Sequence, residues 1–321
     1  MKLIVKKTSE LNDSEITAYC NCFKRVFDKE KDPKTFQNEF SNTCIGYSLH
    51  SLLLEEDGRI VGGYTGIPMM YDVNGEEMLF AFGVDLMIDE GYRDDVSNLL
   101  KVVKANDKAM KEIGVRCFYG FPNDNSYKVN LAFIRMKDIG SLSTYILPYK
   151  LGCFKPSLKL LNPFSMLFSR IMECISCFCW DSKIIDYKIK TKKTELENTR
   201  YKWFNHDDYH VICEDGMTCH WKISDFDGVK AAFIMDVFPM SKKNFNKSVR
   251  RVFKQSKSEV GLIIYVGYLF FTPWSMIKVP HKFVPKNFHF VAKILDKEAL
   301  SLELVYNPFN WEVNLASYDL L

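Results

Sequence analysis

The chain has 321 residues, enough for one large domain or two ordinary ones. Apolar residues make up 47% and charged residues 26%, the balance of a soluble globular protein with a sizeable core. A formal net charge of +3 is too small to argue for a nucleic-acid partner, and the basic start Met1-Lys2-Leu3-Ile4-Val5-Lys6-Lys7 has too short an apolar run for a signal peptide, so it reads as a first β-strand.

Residues 1–150 read as a first domain. Residues 10–27 keep helical spacing behind the start signal Asn12-Asp13-Ser14, with Ile16, Tyr19, Cys20, Phe23 and Val26 or Phe27 on the apolar face. Leu52-Leu53-Leu54 and Ile60-Val61 pair as strands around a turn at Glu56-Asp57-Gly58. Asn74-Gly75 marks the turn of a second hairpin. Residues 79–88 then form a strand and 89–93 a turn, and a helix carrying Leu99, Leu100, Val103 and Met110 begins near Asp94 or Asp95. A further strand over 115–121 runs into Pro122-Asn123-Asp124-Asn125-Ser126. A strand that feeds a helix N-terminus presents N–H groups with no helical partner, which is a ready anion site.

Val84, Asp85, Met87, Tyr92 and Arg93, followed by Tyr119-Gly120-Phe121-Pro122-Asn123 and Asn125-Ser126-Tyr127, together resemble the GNAT (GCN5-related) N-acetyltransferases. The narrower resemblance is to the bacterial branch associated with polysaccharide biosynthesis. Asp57-Gly58-Arg59-Ile60-Val61-Gly62-Gly63 is similar to the hairpin into that family's central sheet, and the clear resemblance covers residues 45–145. It implies an α/β (α+β) GNAT acyl-CoA N-acyltransferase fold with a mixed central sheet, acetyl-CoA as acyl donor, and a small-molecule or sugar acceptor. By motif position Leu86, Met87 and Ile88 lie beside the pantetheine arm, and Arg93, Asp94, Asp95, Val96 and Ser97 meet the pyrophosphate. Asn125 and Ser126 match the family's asparagine after the strand, near the acetyl and pantetheine end. Two departures stand out. The family's Arg followed by Gly-x-Gly is here Arg93-Asp94-Asp95-Val96-Ser97, whose carboxylates cap the helix and suit its dipole but repel a pyrophosphate. The Gly-Phe that closes the next helix is here Arg135-Met136.

Acyl transfer needs a held donor, an acceptor that loses a proton, and a departing thiolate that is stabilised or protonated. Asp85 is the first choice for general base or acceptor orienter. Strand alternation sets it with Gly83 and Met87, opposite Val84, Leu86 and Ile88, and a lone acid in so apolar a strand is paired, functional or raised in pKa. The competing reading is a structural hydrogen bond to a neighbouring loop. Tyr127 is the candidate general acid, set against a simple packing role; the family's more usual tyrosine position is occupied by Leu131 or Ala132.

Residues 151–195 read as an apolar helical connector. Residues 164–180 are apolar nearly all round but short of the ~20 of a spanning helix, so they pack between domains or lie on a membrane interface. Residues 196–321 read as a second α/β unit, which the resemblance implies is a degenerate GNAT-like copy in tandem with the first. Strands are expected at 210–213, 229–235 and 260–266, a final hairpin from 287–295 and 299–306, and a basic helix over 242–257 with Phe245, Val249, Val252 and Phe253 on its core face. The basic face is solvated, or meets anionic lipid or a sugar-nucleotide phosphate. The ending 310–320 also resembles the branch.

His206, His210, Cys213, Cys219 and His220 have metal-ligand residue types but no trusted spacing, so no metal is predicted. Ten cysteines without a scaffold framework suggest reduced thiols, with Cys174, Cys177 and Cys179 buried and inert. The expectation is a cytoplasmic acyltransferase that moves an acetyl or related acyl group to an amine, an amino sugar in surface-polysaccharide synthesis. The rival is a non-catalytic GNAT-fold scaffold or a peripheral membrane module attached through 164–180. A transferase using aminoacyl-tRNA is a third reading, disfavoured by the small charge.

Overall fold

The computed structural model describes residues 1–153, 156–194, 209–226, 228–284 and 287–318. Its strands, in chain order, are β1 (Lys2–Lys7), β2 (Leu49–Leu54), β3 (Ile60–Val73), β4 (Glu76–Ile88), β5 (Cys117–Gly120), β6 (Lys137–Ser141), β7 (Ser143–Pro148), β8 (Ile189–Thr191), β9 (Tyr209–Glu214), β10 (Met217–Phe226), β11 (Val229–Phe238), β12 (Leu262–Gly267), β13 (Ile277–Lys278) and β14 (His289–Ile294). The principal helices are α1 (Asp13–Phe27), α2 (Pro33–Ser41), α3 (Val96–Glu112), α4 (Asp124–Val129), α5 (Asn162–Cys177), α6 (Lys242–Ser256) and α7 (Leu302–Val305). Local chemistry sets several of these. Asn12 starts α1 with a reciprocal capping box to Glu15, and Asp28 stops it in a left-handed conformation. Asn74 and Gly75, at φ 54° and 90°, make the β3–β4 turn that two positive φ values demand.

The chain divides into two compact units. The first comprises Met1–Gly140, the described part of Lys188–Phe204, and His289–Asn310; the second comprises Ser141–Tyr187 and the described parts of Asn205–Phe288 and Trp311–Leu321. The sequence boundaries at 150 and 195 follow a different division. β7 lies in the second unit, and β14 and α7 lie in the first, because backbone pairing across long sequence separations leaves no local pattern.

In the first unit the sheet order is β1-β2-β3-β4-β5-β14-β6, with β8 on β3. β1 to β4 form an antiparallel meander, β5 joins β4 in parallel, and β14 joins β5 antiparallel. A parallel neighbour requires a crossover, and α3 supplies it. Val102, Val103 and Met110 of α3 pack on Leu49, Leu53, Tyr64, Ala81 and Phe118. The opposite face carries α1 and α2, where Tyr19, Phe36 and Phe40 surround His50.

The second unit has the order β13-β7-β12-β11-β10-β9. It repeats the first: an antiparallel meander β9-β10-β11, a helix α6, β12 parallel to β11, and β7 antiparallel to β12. Phe245, Val249, Val252 and Phe253 of α6 are buried in this core, as their spacing predicts. The predicted final hairpin is half realised. β14 forms, but 299–306 supplies the helix α7, whose cap Ser301 accepts the Leu304 N–H at 3.1 Å, while β14 takes β5 as its partner.

α5 is turned opposite to an ordinary amphipathic helix. Ser165, Ser169 and Ser176 are its buried residues, and the first two donate to the Pro148 carbonyl at 2.7 and 2.6 Å. Phe164, Leu167, Phe178 and Trp180 are exposed by 71, 59, 66 and 79%. Cys174 and Cys177 are consequently exposed and only Cys179 is buried, which corrects the expectation that all three are inside. Among the described residues no helix is long and apolar enough to cross a membrane.

Candidate functional site

β4 carries an extra residue. Its pairing with β3 passes from Gly63–Met87 to Thr65–Val84, so Asp85 and Leu86 together oppose Tyr64. Asp85 takes φ 49°, the left-handed region that non-glycine residues rarely adopt. The bulge overturns the expected alternation. Gly83, whose Cα faces Phe118 and Tyr64, lies on the α3 side with Leu86 and Ile88, while Asp85 points to α1 and α2. The parallel pairing with β5 ends at Phe82–Tyr119, immediately before this point. Residues 83–88, including the predicted Leu86, Met87 and Ile88, therefore run on without β5 as their partner.

Asp85 is neither lone nor solvated. Its Oδ2 accepts the Tyr19 hydroxyl at 2.8 Å and the Lys31 ammonium at 2.7 Å. Lys31 also donates to Glu39 at 2.7 Å. Burial opposes charge on Lys31, but Asp85 and Glu39 outweigh it and push the ammonium up to about 12. Burial and the adjacent Asp85 hold the Tyr19 phenol well above its ordinary range. The Tyr19 hydroxyl also lies 2.9 Å from Thr65 Oγ1, which meets His50 Nδ1 at 2.9 Å, so a continuous polar chain runs beneath the bulge. Lys31 and Glu39 belong to charged stretches with no periodic signal, and the sequence did not single them out.

At the start of α3 the predicted capping role of Asp95 is realised. Its carboxylate accepts the Ser97 N–H at 2.9 Å and the Ser97 hydroxyl at 2.8 Å. Arg93 Nε donates to the Ile88 carbonyl at 2.8 Å, tying the loop to the end of β4. Asp94 and Val96 are exposed.

The segment after β5 is capped by Asn123, which accepts the Ser126 N–H and hydroxyl, both at 2.9 Å; Asn125 is exposed. Tyr127 stacks on His289 at 3.9 Å between ring centroids. Its phenol is raised by burial and by a hydrogen bond to Asp138. His289 Nε2 lies 2.7 Å from Asp124 Oδ1. The fold thus gathers Tyr127 and Asp124 of α4, His289 of β14 and Asp138 of β6, of which the sequence identified only Tyr127. Asp85 and Tyr127 share no hydrogen bond. Arg135 closes the helical segment at φ 61°, the conformation a glycine would favour.

The corresponding place in the second unit is closed. β11 carries its extra residue at Met235, just after its pairing with β12 ends at Ile234–Tyr265. There the C-terminal segment bridges the two strands. Gly267 pairs with Asn314, Tyr268 N–H donates to the Val313 carbonyl at 3.2 Å, and Asn314 donates to Asp236 at 2.8 Å. The N–H groups at the start of α6 are also taken, Lys243 by the Asp181 carbonyl at 2.8 Å and Asn244 by Ser241 Oγ at 3.1 Å. Basic residues of α6 are engaged locally: Arg251 pairs with Glu214, and Lys247 with Asp215. No metal-holding cluster exists among the described residues; His210 stacks on Trp221, and His206 lies outside them.

No family model and no curated protein matches the chain. Solved structures do. A GCN5-related N-acetyltransferase from Kribbella flavida matches with a TM-score of 0.58 at 11% identity, over 93% of this chain and 72% of that one. One from Anabaena variabilis matches with a TM-score of 0.56 at 10% identity, over 92% and 73%. A protein of unknown function from Enterococcus faecalis, a probable N-acyltransferase, gives 0.59 at 11% identity, over 92% and 73%. The fold is that of the GCN5-related N-acetyltransferases. The match spans most of the chain, consistent with the two repeated units as a tandem of that fold.

Proposed function

We propose that the first unit transfers an acetyl or related acyl group from acyl-CoA to an amine, with an amino sugar of surface-polysaccharide synthesis as the acceptor class. The observation that carries this reading is the parting of β4 from β5 at the Asp85 bulge, directly ahead of the α3 N-terminus. Acyl-CoA supplies the activated thioester. The edge of Leu86, Met87 and Ile88 that faces away from β3 has no β5 partner and can meet an extended pantetheine arm, except at the Ile88 carbonyl, which Arg93 already holds, and Asn125 and Ser126 border its far end. The opposite end fits less well, because Asp95 already accepts the Ser97 N–H that a phosphate would use. With both Ser97 donors held by Asp95, Arg93 and the main chain of Asp94 and Val96 are left to meet the pyrophosphate, beside two carboxylates that repel it. Asp85 orients the acceptor from the α1–α2 side. Tyr127, kept protonated by burial and Asp138, is the proton donor once it turns from Asp138. The closed site of the second unit supports a reading in which the first unit carries the chemistry.

Calorimetric titration of acetyl-CoA tests this, with Asp94→Gly/Val96→Gly alongside. Micromolar binding by the unaltered chain is expected, and tighter binding by the variant. Binding by the variant alone would favour the second reading, a non-catalytic scaffold or peripheral membrane module. That reading draws on the outward apolar face of α5, flanked by exposed Lys159, Arg170 and Lys183, which suits an anionic lipid surface.

A further inference from the structure

Lys31 lies in the irregular segment between α1 and α2, yet its head group is turned inward. Nζ is 2.7 Å from Asp85 and 2.7 Å from Glu39, and it stands 4.6 Å from the Phe23 ring centroid and 4.7 Å from that of Phe40. The side chains of Lys31, Asp85 and Glu39 are 8, 9 and 8% exposed. Two carboxylates and two aromatic faces around one cation are a complete recognition set for an ammonium ion. A buried pair of this kind contributes little net stability compared with an apolar cluster of the same volume, so stability alone does not account for it. The tether is slight. Residues 28–32 have no regular structure, and the adjoining Lys24–Glu30 pair is exposed by 60 and 82%. Through Asp85 the cage adjoins the bulge at which β4 leaves β5.

We propose that Asp85, Glu39, Phe23 and Phe40 form a primary-ammonium subsite for the acceptor, and that Lys31 fills it in the free protein. The assignment to the acceptor rests on the acyl-transfer reading. The subsite anchors a cation and does not activate it: two carboxylates stabilise the protonated form, so the lone pair of an amine held there is not available to attack. The acceptor therefore carries a second amine, the nucleophile, beyond the anchored ammonium. Diamines and diamino sugars fit; neutral acceptors do not.

The test is Lys31→Ala with n-propylammonium, which replaces the deleted methylenes and charge, and n-propanol as the neutral match. Propylammonium is expected to bind the variant saturably and raise its Tm, leave the unaltered chain unmoved, and be matched by no effect of propanol. Adding Phe23→Ala is expected to weaken that binding about 3-fold or more. If Lys31→Ala does not fold alone, refolding yield with propylammonium against propanol gives the same reading. No response to propylammonium, or an equal response to propanol, would overturn the subsite. None of these measurements contains acyl-CoA, so a failed acetyl-CoA titration and a failed ammonium titration reject different proposals.

Discussion

His50 sits at the inner end of the polar chain beneath Asp85, fully buried, with its ring nitrogens 2.9 Å from Thr8 Oγ1 and 2.9 Å from Thr65 Oγ1. Burial, with the Lys31 charge adding to it, lowers the imidazole from its ordinary 6.5 to about 3. The unfolded chain therefore takes up this proton first as the pH falls. The stability that His50 contributes is complete above pH 6.5 and is lost progressively toward pH 3. Urea unfolding at a series of pH values is expected to give a shallower decline for His50→Gln across that window, by up to about 1.4 kcal/mol per pH unit. Parallel curves for the two proteins would mean that His50 does not titrate there. At this scale the sequence was half legible. That an acid at position 85 needed a partner followed from its apolar strand; that Lys31, Glu39 and Tyr19 are the partners did not, because a loop lysine reads as solvated until the fold closes around it.

α3 packs closely on β3 at Gly66. A Cβ there would stand 2.3 Å from Met110 Cε and 3.0 Å from both Asn106 Oδ1 and Phe118 Cζ. Met110 can move, but Asn106 is held by the Leu49 and Tyr64 carbonyls at 3.1 and 2.9 Å. Gly66→Ala is thus expected to cost about 1–3 kcal/mol, read as a lowered denaturant midpoint. α5 poses the opposite question, since its apolar side chains face outward. If that face meets lipid, the protein floats with anionic vesicles, and Phe164→Ser/Leu167→Ser/Phe178→Ser stays in solution while keeping the same melting curve. Flotation equal for both proteins would remove the membrane reading. Element positions followed closely from caps and turns: α1 behind Asn12, α3 behind Asp95, the hairpin at Asn74-Gly75. What failed was alternation through the β4 bulge and the partner of β14. Both depend on a neighbouring strand, which a local pattern does not contain.

For the two repeated units the difference that bears on function lies where β4 leaves β5 and β11 leaves β12. The second is bridged by the C-terminal segment, anchored by the fully buried Trp311. Trp311→Ala is expected to cost about 3–5 kcal/mol and to speed amide exchange at Gly267 and Tyr268, with the strands of the first unit unchanged. Uniform acceleration in both units would instead mean that they unfold as one. The amino-acid sequence by itself determined the element types, the turns and caps, and the strand–turn–helix–strand order that marks the fold, because each is written in contacts a few residues apart. Only the tertiary structure decided that β7 and β14 join the sheets they do, that Asp85 turns toward Lys31 at a bulge, that α5 buries serines and exposes phenylalanines, and that the second opening is closed. Each of these depends on which distant segment occupies a given face, and spacing along the chain carries no record of that.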